Sequence, residues 1–374
     1  MSSLSVWISE KNCALTSFVD EVILYGAGFN AARLIVRLKR EHANATFLCI
    51  VDSDVNKQGS YMFDIPIVSP ESLMEYDSHT YVIVTPSTHC FAITDKLNQL
   101  GFFNILYLNS WNAVIMEIAS KKNEWINENL EKLDCLLQEN DEKISEVRRF
   151  LQHDDKSLAV FDAKLESSFK GCHVNLEALA EGGQYFPNGI IALGEHEVFV
   201  DCGAFDGGTV LDFIKRAVSY SYIYALEPDP LQYELTKIML ELHRVKSCEL
   251  FNLGAYDIDG VKQFEMSDLG SSKITQNGDV TVNVASLDAL LYNKTKHPSF
   301  IKMDIEGAEL NALHGAERLI ARDMPKLAIS VYHGQPNVQL WEVPYWIMTN
   351  FVGYSIYFRQ HANLNETVCY AVKH

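Results

Sequence analysis

Val198-Phe199-Val200-Asp201-Cys202-Gly203-Ala204-Phe205-Asp206-Gly207-Gly208-Thr209 is the stretch on which the fold of this chain turns. An apolar run closes on an acid, a glycine-rich turn follows, and a helix is expected from about Thr209. A parallel α/β sheet binds its ligand at such a turn, in the crevice outside the carboxyl ends of its strands. Gly203 and the pair Gly207-Gly208 permit a tight backbone and close approach to a ligand. Asp201 stands where the strand should stop, so its carboxylate is expected to point into the crevice. The spacing is G-x-x-x-G-G, not the G-x-G-x-x-G of dinucleotide folds. On its own the stretch also suits a purely structural strand–turn–helix.

The residues that follow narrow the reading. Residues 221–226 (S-Y-I-Y-A-L) read as a second strand, ending in Glu227-Pro228-Asp229. An acid at the end of the second strand, roughly 20 residues past the glycine turn, suits the two hydroxyls of a ribose. Residues 249–255 (E-L-F-N-L-G-A) predict a third strand and another small-residue turn, with Asn252 and Ala255 beside the crevice. Residues 300–309 (F-I-K-M-D-I-E-G-A-E) predict a fourth strand that ends in a carboxylate cluster.

With these four segments in view, residues 145–374 resemble the FkbM family of S-adenosylmethionine-dependent methyltransferases. The resemblance rests on V-F-V-D-C-G-A-F-D-G, L-E-P-D, I-K-M-D-I-E-G-A-E, S-V-Y-H at 330–333 and E-T-V-C-Y-A at 366–371, in the family's order. It implies a class I, Rossmann-like domain with a mostly parallel seven-stranded sheet. It also implies a cofactor site made by Asp201, Gly203, Ala204, Phe205, Asp206, Gly207, Glu227, Pro228, Asp229, Asn252, Ala255 and Asp304.

Composition sets the outer bounds. At 374 residues, two domains are the natural expectation, and 48% apolar residues suffice for full cores. Lysine and arginine total 31 against 49 acids, a net charge of −18. That balance argues against nucleic acid or anionic membranes as partners, because their phosphates would be repelled. The 8 cysteines form no C-x-x-C pair, and Cys49, Cys202 and Cys369 lie in apolar runs. They read as buried free thiols in a reducing compartment. No signal peptide and no apolar run near the ~18 residues of a membrane span is visible. The expectation is a soluble, cytoplasmic protein.

The chain before this domain carries its own signals. Residues 1–20 read as a short helix or arm. Glu21–Tyr25 predict a strand, followed by Gly26-Ala27-Gly28-Phe29-Asn30-Ala31, a helix to about Glu41, a strand to Val51, and then Asp52. Strand, glycine turn, helix, strand and acid form the dinucleotide fingerprint. Further strands at 65–68, 81–85 and 104–108 and helices opening at Ser69-Pro70-Glu71 and at about 88–100 complete a Rossmann-like domain over 1–110. I-V-D-S-D-V-N-K-Q-G and I-P-I-V-S-P-E-S-L resemble the small Rossmann domains of enzymes that modify nucleotide sugars. Gly26, Gly28 and Asp52 would hold NAD or a nucleotide sugar; a turn without a ligand is the other reading.

Residues 111–183 read as a helical linker. Ile126, Leu130, Leu133, Leu137, Ile144, Val147 and Leu151 recur at steps of four and three, with Asn140 as the polar member. This heptad seam fits either packing within one chain or a homodimer through the 126–151 helix. The helical pattern resumes over 156–169. The catalytic domain then spans 184–374, opened by Gln184-Tyr185-Phe186-Pro187. Tyr185 and Phe186 would close over the cofactor or shape an acceptor pocket, or merely cover a sheet edge.

The candidate catalytic residues are Asp304, Glu306 and His333. Two nearby carboxylates repel, which raises the pKa of one or invites a cation, so a divalent metal is an option. Glu309 also suits a helix N-terminus. His333, after the fifth strand at 327–332, is placed to take a proton from an acceptor hydroxyl. The resemblance further implies adenine-side or acceptor contacts for Ser271 and Ser272 and places His361 near the acceptor side. These groups favour an alcohol over a carboxylate as methyl acceptor, and the resemblance implies a sugar, glycolipid or polyketide hydroxyl. The activity expected is O-methylation of a sugar or glycan precursor. An NAD-dependent nucleotide-sugar oxidoreductase or epimerase is the rival enzyme, weakened because no Tyr-x-x-x-Lys pair follows the fingerprint. A non-catalytic nucleotide-binding scaffold is the rival outside enzymes.

Overall fold

The computed structural model describes residues 7–8, 21–40, 46–85, 90–108, 125–170, 176, 178–265, 272–275, 278, 280–334, 336–361 and 366–373. The chain divides into two compact units, Met1–Val114 with Glu234–Val245, and Ile115–Tyr233 with Lys246–His374.

The first unit holds a seven-stranded sheet made of β1 (Trp7–Ile8), β2 (Glu21–Tyr25), β3 (Thr46–Val51), β4 (Tyr61–Met62), β5 (Ile65–Val68), β6 (Tyr81–Val84) and β7 (Ile105–Leu108). Its order is β1-β7-β6-β2-β3-β5-β4, and every pair is parallel except β4 with β5. Helices α1 (Phe29–Arg40) and α2 (Cys90–Gln99) join the strands. Ile23, Cys49, Val51, Val82 and Val84 are buried, as continuous apolar strands require when both faces of a parallel sheet are covered. The helix expected at Ser69-Pro70-Glu71 is only a 3-10 segment, Pro70–Glu75. Apart from β1, residues 1–20 lie outside the described residues.

The second unit is built on β8 (Glu197–Cys202), β9 (Tyr220–Leu226), β10 (Cys248–Phe251), β15 (Phe300–Met303), β16 (Lys326–Ser330), β17 (Tyr354–Gln360) and β18 (Thr367–Lys373). These seven strands lie in the order β10-β9-β8-β15-β16-β18-β17. The five strands from β10 to β16 are parallel, and β18 runs antiparallel between β16 and β17. From β8 the chain builds outward to β9 and β10 on one side and to β15 and β16 on the other. The switch point therefore falls between β8 and β15, where a doubly wound sheet opens its binding crevice.

Between β10 and β15 the chain makes a second, four-stranded sheet that the sequence reading missed. It comprises β11 (Gly254–Ala255), β12 (Gly260–Glu265), β13 (Lys273–Ile274) and β14 (Val280–Ala285), ordered β11-β14-β12-β13. The expected strand at 249–255 is thereby split, because Gly254 and Ala255 pair with Val284 and Ala285 instead of extending β10. Alternation in V-T-V-N-V-A buries only Val282 and Val284 with Phe264, a small core of its own.

The helical region breaks where its polar member stands. Helices α3 (Leu130–Glu139) and α4 (Asp141–Phe150) meet at Asn140, whose side chain donates to Leu136 O at 2.9 Å. An asparagine that bonds its own backbone competes with helix continuation. Ile126, Leu133, Ile144, Val147 and Leu151 are nonetheless all buried, in one core with Val343 and Ile347 of α11 (Gln339–Asn350). These five members pack within the chain, whereas Leu130 of the same seam is 45% exposed. Helix α5 (Asp155–Lys170) follows as read from 156–169. The remaining helices are α6 (Gly208–Arg216), α7 (Pro230–Leu242), α8 (Leu287–Leu291), α9 (Glu309–His314) and α10 (Glu317–Asp323). Ser286 caps α8, accepting from Ala289 N at 3.2 Å. No helix among the described residues is long and apolar enough to cross a membrane.

Candidate active site

One row of paired residues crosses the sheet at the carboxyl ends of its strands. Phe251 pairs with Leu226, Leu226 with Cys202, Cys202 with Met303, and Met303 with Ile329. The residues one step beyond that row are Asn252, Glu227, Gly203, Asp304 and Ser330. Register alone thus lines up three of the expected cofactor residues with the first catalytic candidate.

Gly203 is obligatory where it stands. Its φ is +81°, and a Cβ there would lie 2.0 Å from Asp304 O. Contact that close brings the first turn against the fourth strand's end at the switch point. Gly203 N and Ala204 N both donate to Leu226 O, at 3.0 and 2.9 Å. Asp206 accepts from Gly208 N at 2.7 Å and so closes the turn at the start of α6.

Glu227 is buried and tied to the same turn. One oxygen accepts from Phe205 N at 2.8 Å and the other from Asp229 N at 2.9 Å. Two of its roughly four acceptor positions remain, enough for a pair of vicinal hydroxyls. Burial pushes its pKa up to about 8. Asp229 turns the other way: it accepts from Leu231 N at 2.9 Å and from Ser272 Oγ at 3.3 Å. Asn252 donates to Glu227 O at 3.0 Å and so steadies the loop through its backbone. Pro228 packs at Gly254, with 3.5 Å to the place of a Cβ there. Ala255 is buried in the small sheet, not open to the crevice. Ser271 lies outside the described residues.

Asp201 departs from expectation. It is wholly buried, with Oδ1 2.9 Å from Lys302 Nζ, its register partner on β15. Lys302 Nζ also donates to Gly203 O at 2.7 Å and lies 5.2 Å from the Tyr185 ring. Burial works against the lysine's charge, but Asp201 and Asp304 hold its pKa above the ordinary value. Asp201 therefore anchors the lysine that supports the glycine turn from below. It is a positioning residue, not a ligand in the crevice. A lone lysine inside the apolar strand F-I-K-M was the sequence signal for this pair, since a buried charge must be partnered.

Asp304 is the hub of the polar cluster at the end of β15. Tyr185 donates to its Oδ2 at 2.5 Å and Tyr332 to its Oδ1 at 3.2 Å. His333 Nε2 lies 3.4 Å from Asp304 Oδ1 and 3.5 Å from Glu306 Oε2. Burial would lift the Asp304 pKa, but His333, Lys302 and the tyrosine hydroxyl keep it below the ordinary value. Glu306 sits at φ +55°, a strained conformation for a non-glycine residue, with its side chain 25% exposed. Burial lifts its pKa to about 7.

His333 was expected to receive a proton, and its surroundings work against that role. Its Nδ1 bonds to Glu309 Oε1 at 2.8 Å. Burial alone would lower its pKa, but Glu309, Glu306 and Asp304 raise it to about 10, so the free imidazole holds a proton at neutral pH. Glu309 is itself spent: Oε1 also accepts from Ile305 N at 3.0 Å, and Oε2 from Gly307 N at 3.0 Å and Gln339 Nε2 at 2.7 Å. Instead of merely easing a helix N-terminus, it braces the loop and the imidazole together.

Tyr185 and Phe186 part company. Phe186 is buried against Phe199, Phe213 and Phe300 and belongs to the core. Tyr185 adopts φ +64°, and its N–H donates to Tyr370 Oη at 3.0 Å. Tyr370 is 2.7 Å from His361 Nε2, while His361 Nδ1 is 3.1 Å from Glu181 O. Burial lowers the His361 pKa. A neutral His361 thus donates from Nδ1 to the carbonyl and accepts from Tyr370 through Nε2. The chain of bonds aims Tyr185 at Asp304. His361 supports the site from behind and does not face an acceptor. Glu366, which the sequence reading passed over, is bonded by Gln184, and burial raises its pKa.

In the first unit, the acid after the second strand is already engaged. Asp52 Oδ2 accepts from Ala27 N at 2.7 Å and lies 3.4 Å from Lys57 Nζ. Gly26 takes φ +102°, whereas a Cβ at Gly28 would meet nothing within 4 Å.

A switch-point crevice with a glycine turn, a second-strand acid and a fourth-strand acid defines a methyltransferase-type α/β domain. Residues 201–362 match the family model described as the methyltransferase FkbM domain. Residues 19–104 match a model described as C2185-like, N-terminal. The crystal structure of methyltransferase FkbM from Methylobacillus flagellatus KT is similar in fold, with a TM-score of 0.52 and 20% identity over 94% of this chain and 90% of that one. An rRNA methylase from Streptococcus thermophilus overlays with a TM-score of 0.33 and 13% identity, over 48% of this chain and 89% of its own. Precorrin-6y C5,15-methyltransferase from Geobacter metallireducens GS-15 gives 0.32 and 11%, over 49% and 82%. No curated protein matches the sequence.

Proposed function

We propose that this protein is an S-adenosylmethionine-dependent O-methyltransferase that acts on a hydroxyl of a sugar or glycan precursor. The observation that carries the reading is the placement of Asp304 one strand from Gly203, with Glu227 at the next strand's end in the same register row. The turn and Glu227 fit an adenosyl group: the carboxylate keeps acceptor capacity for ribose hydroxyls, and the small residues Gly203 and Ala204 admit close approach. When bound, the cofactor supplies an electrophilic methyl group on a sulfonium. The protein's task is then orientation and proton removal, because an alcohol is a poor nucleophile until its proton begins to leave.

Asp304, with Tyr185 and Tyr332 holding it, orients the acceptor hydroxyl. Glu306 is the carboxylate placed to take the proton, since a quarter of its side chain reaches solvent. Gln184, Glu366 and the two tyrosine hydroxyls add polar groups that suit a polyhydroxylated acceptor. The free cysteines at 49, 135, 202, 248 and 369 fit a cytoplasmic enzyme.

Calorimetry tests this. S-adenosylhomocysteine should bind in the micromolar range and lose its affinity in Glu227→Ala. Binding of NAD without S-adenosylhomocysteine would instead support a nucleotide-sugar oxidoreductase, and binding of neither a scaffold. A mass-spectrometric comparison of glycans from cells with and without the protein would identify the acceptor, and glycans unchanged in methylation would reject the sugar assignment.

A further inference from the structure

We propose that Asp304, Glu306 and His333 Nε2 form a binding site for one divalent cation with hard oxygen and imidazole ligands, backed by Glu309. The observation begins with an orphaned atom. His333 is 7% exposed, and its Nε2 is buried and makes no hydrogen bond. It faces Asp304 Oδ1 at 3.4 Å and Glu306 Oε2 at 3.5 Å, both beyond a good N–H···O bond. An unbonded imidazole nitrogen thus faces one oxygen from each of two carboxylates. An ion with ligands at about 2.1–2.4 Å holds neighbouring ligands ~3.0–3.4 Å apart, close to the two separations from Nε2, and the Glu306 carboxylate would turn on its loop to complete the set.

The support behind the imidazole makes the same case independently. A metal-binding histidine usually gives its other ring N–H to a carboxylate, which fixes its tautomer and aim. Here Nδ1 bonds to Glu309 Oε1 at 2.8 Å, leaving Nε2 as the outward atom. Glu309, Asp304 and His333 all offer ligand-type atoms within 4.8 Å of one another. Glu309 is nevertheless not a ligand, because its acceptor positions are filled by Ile305 N, Gly307 N, Gln339 and His333. The third protein ligand is Glu306, held over the site by its left-handed backbone. Two carboxylates and one imidazole suit Mn²⁺, which accepts both ligand types, with Mg²⁺ and Zn²⁺ as competitors.

Its role rests on the proposed methyl transfer. The cation would take the acceptor's hydroxyl oxygen as a ligand and lower that hydroxyl's pKa. The proton passes to the free oxygen of Glu306 and on to solvent. The O–C bond forms as the sulfonium's C–S bond breaks, and sulfur keeps that electron pair.

The full chain, stripped with a chelator and dialysed, is titrated with Mn²⁺ and free ion is followed by electron paramagnetic resonance. One ion per chain is expected, below millimolar. His333→Ala and Glu306→Gln should each weaken it at least tenfold, and Glu309→Gln about 10–100-fold. Circular dichroism reports folding, and Glu306→Gln, on a partly exposed loop, provides the variant least able to unfold the chain. S-adenosylhomocysteine affinity should be unchanged in Glu306→Gln. No sub-millimolar Mn²⁺ binding by a folded chain that binds S-adenosylhomocysteine, or binding unaltered by Glu306→Gln and His333→Ala, overturns the site. Mn²⁺ binding without S-adenosylhomocysteine binding keeps the cation site and removes the methyltransferase reading.

Discussion

Tyr185 and Asp304, 119 residues apart in sequence, meet in a 2.5 Å hydrogen bond at the centre of the candidate site. The tyrosine lies before the first strand of the second unit's seven-stranded sheet and the aspartate after its fourth. Tyr185→Phe should therefore act on catalysis. A hydrogen bond to a charged group contributes about 1.5–3 kcal/mol, so activity should fall by tenfold or more, with S-adenosylhomocysteine affinity retained. His361→Ala should lower activity in the same direction by loosening Tyr370. Full activity in both variants would remove the bond chain from the mechanism.

Glu227 sets a pH dependence whose sign follows from its burial. Asp229 and Lys302 are the charged groups acting on it, one raising and one lowering a pKa that desolvation carries to about 8. Between the ordinary carboxylate value and 8 the folded chain holds a proton that the unfolded chain has released. That stabilisation is complete below the unfolded pKa and is lost as pH rises through about 8. The ionised carboxylate is the better acceptor for ribose hydroxyls. S-adenosylhomocysteine affinity should thus rise with pH through about 8 and lose this dependence in Glu227→Gln. A flat profile in the parent protein would refute the assignment.

Lys302 and Asp201 form a wholly buried pair, so removing one partner leaves the other charged and desolvated. Lys302→Ala should cost about 3–5 kcal/mol. Thermal or urea unfolding measures it, and a loss under 1 kcal/mol would contradict the pairing.

Glycines at the two turns should differ in tolerance. Gly203→Ala puts a Cβ 2.0 Å from Asp304 O at φ +81°, so the turn must open and cofactor binding should be lost with stability. Gly28→Ala meets nothing within 4 Å and should change stability by less than about 0.5 kcal/mol. Equal effects on melting temperature would be the contrary result.

The 126–151 seam offers a test of association. Leu133 is 2% exposed within its own chain, so Leu133→Ala should cost about 2–5 kcal/mol by leaving a cavity. Sedimentation should show the same oligomeric state as the parent. A shift in mass on substitution would mean that the seam also serves a second chain.

The frame is legible in the residues alone: which runs are strands, in what order they come, and which acids stand at their ends. E-V-F-V-D-C and F-I-K-M read correctly because a strand buried on both faces must be nearly continuous in apolar residues, a local property. The four-stranded insert escaped because Gly254-Ala255 and Lys273-Ile274 are too short to show a period. Tertiary structure alone decided what each acid does. Asp201 and Glu227 look alike as strand-end carboxylates, yet the first faces a lysine across one register step and the second faces backbone N–H groups of a turn. His333 looked like a base, yet three carboxylates from one loop surround it. A side chain's charge and direction depend on the groups packed against it, and the chain brings those together only when the sheet forms.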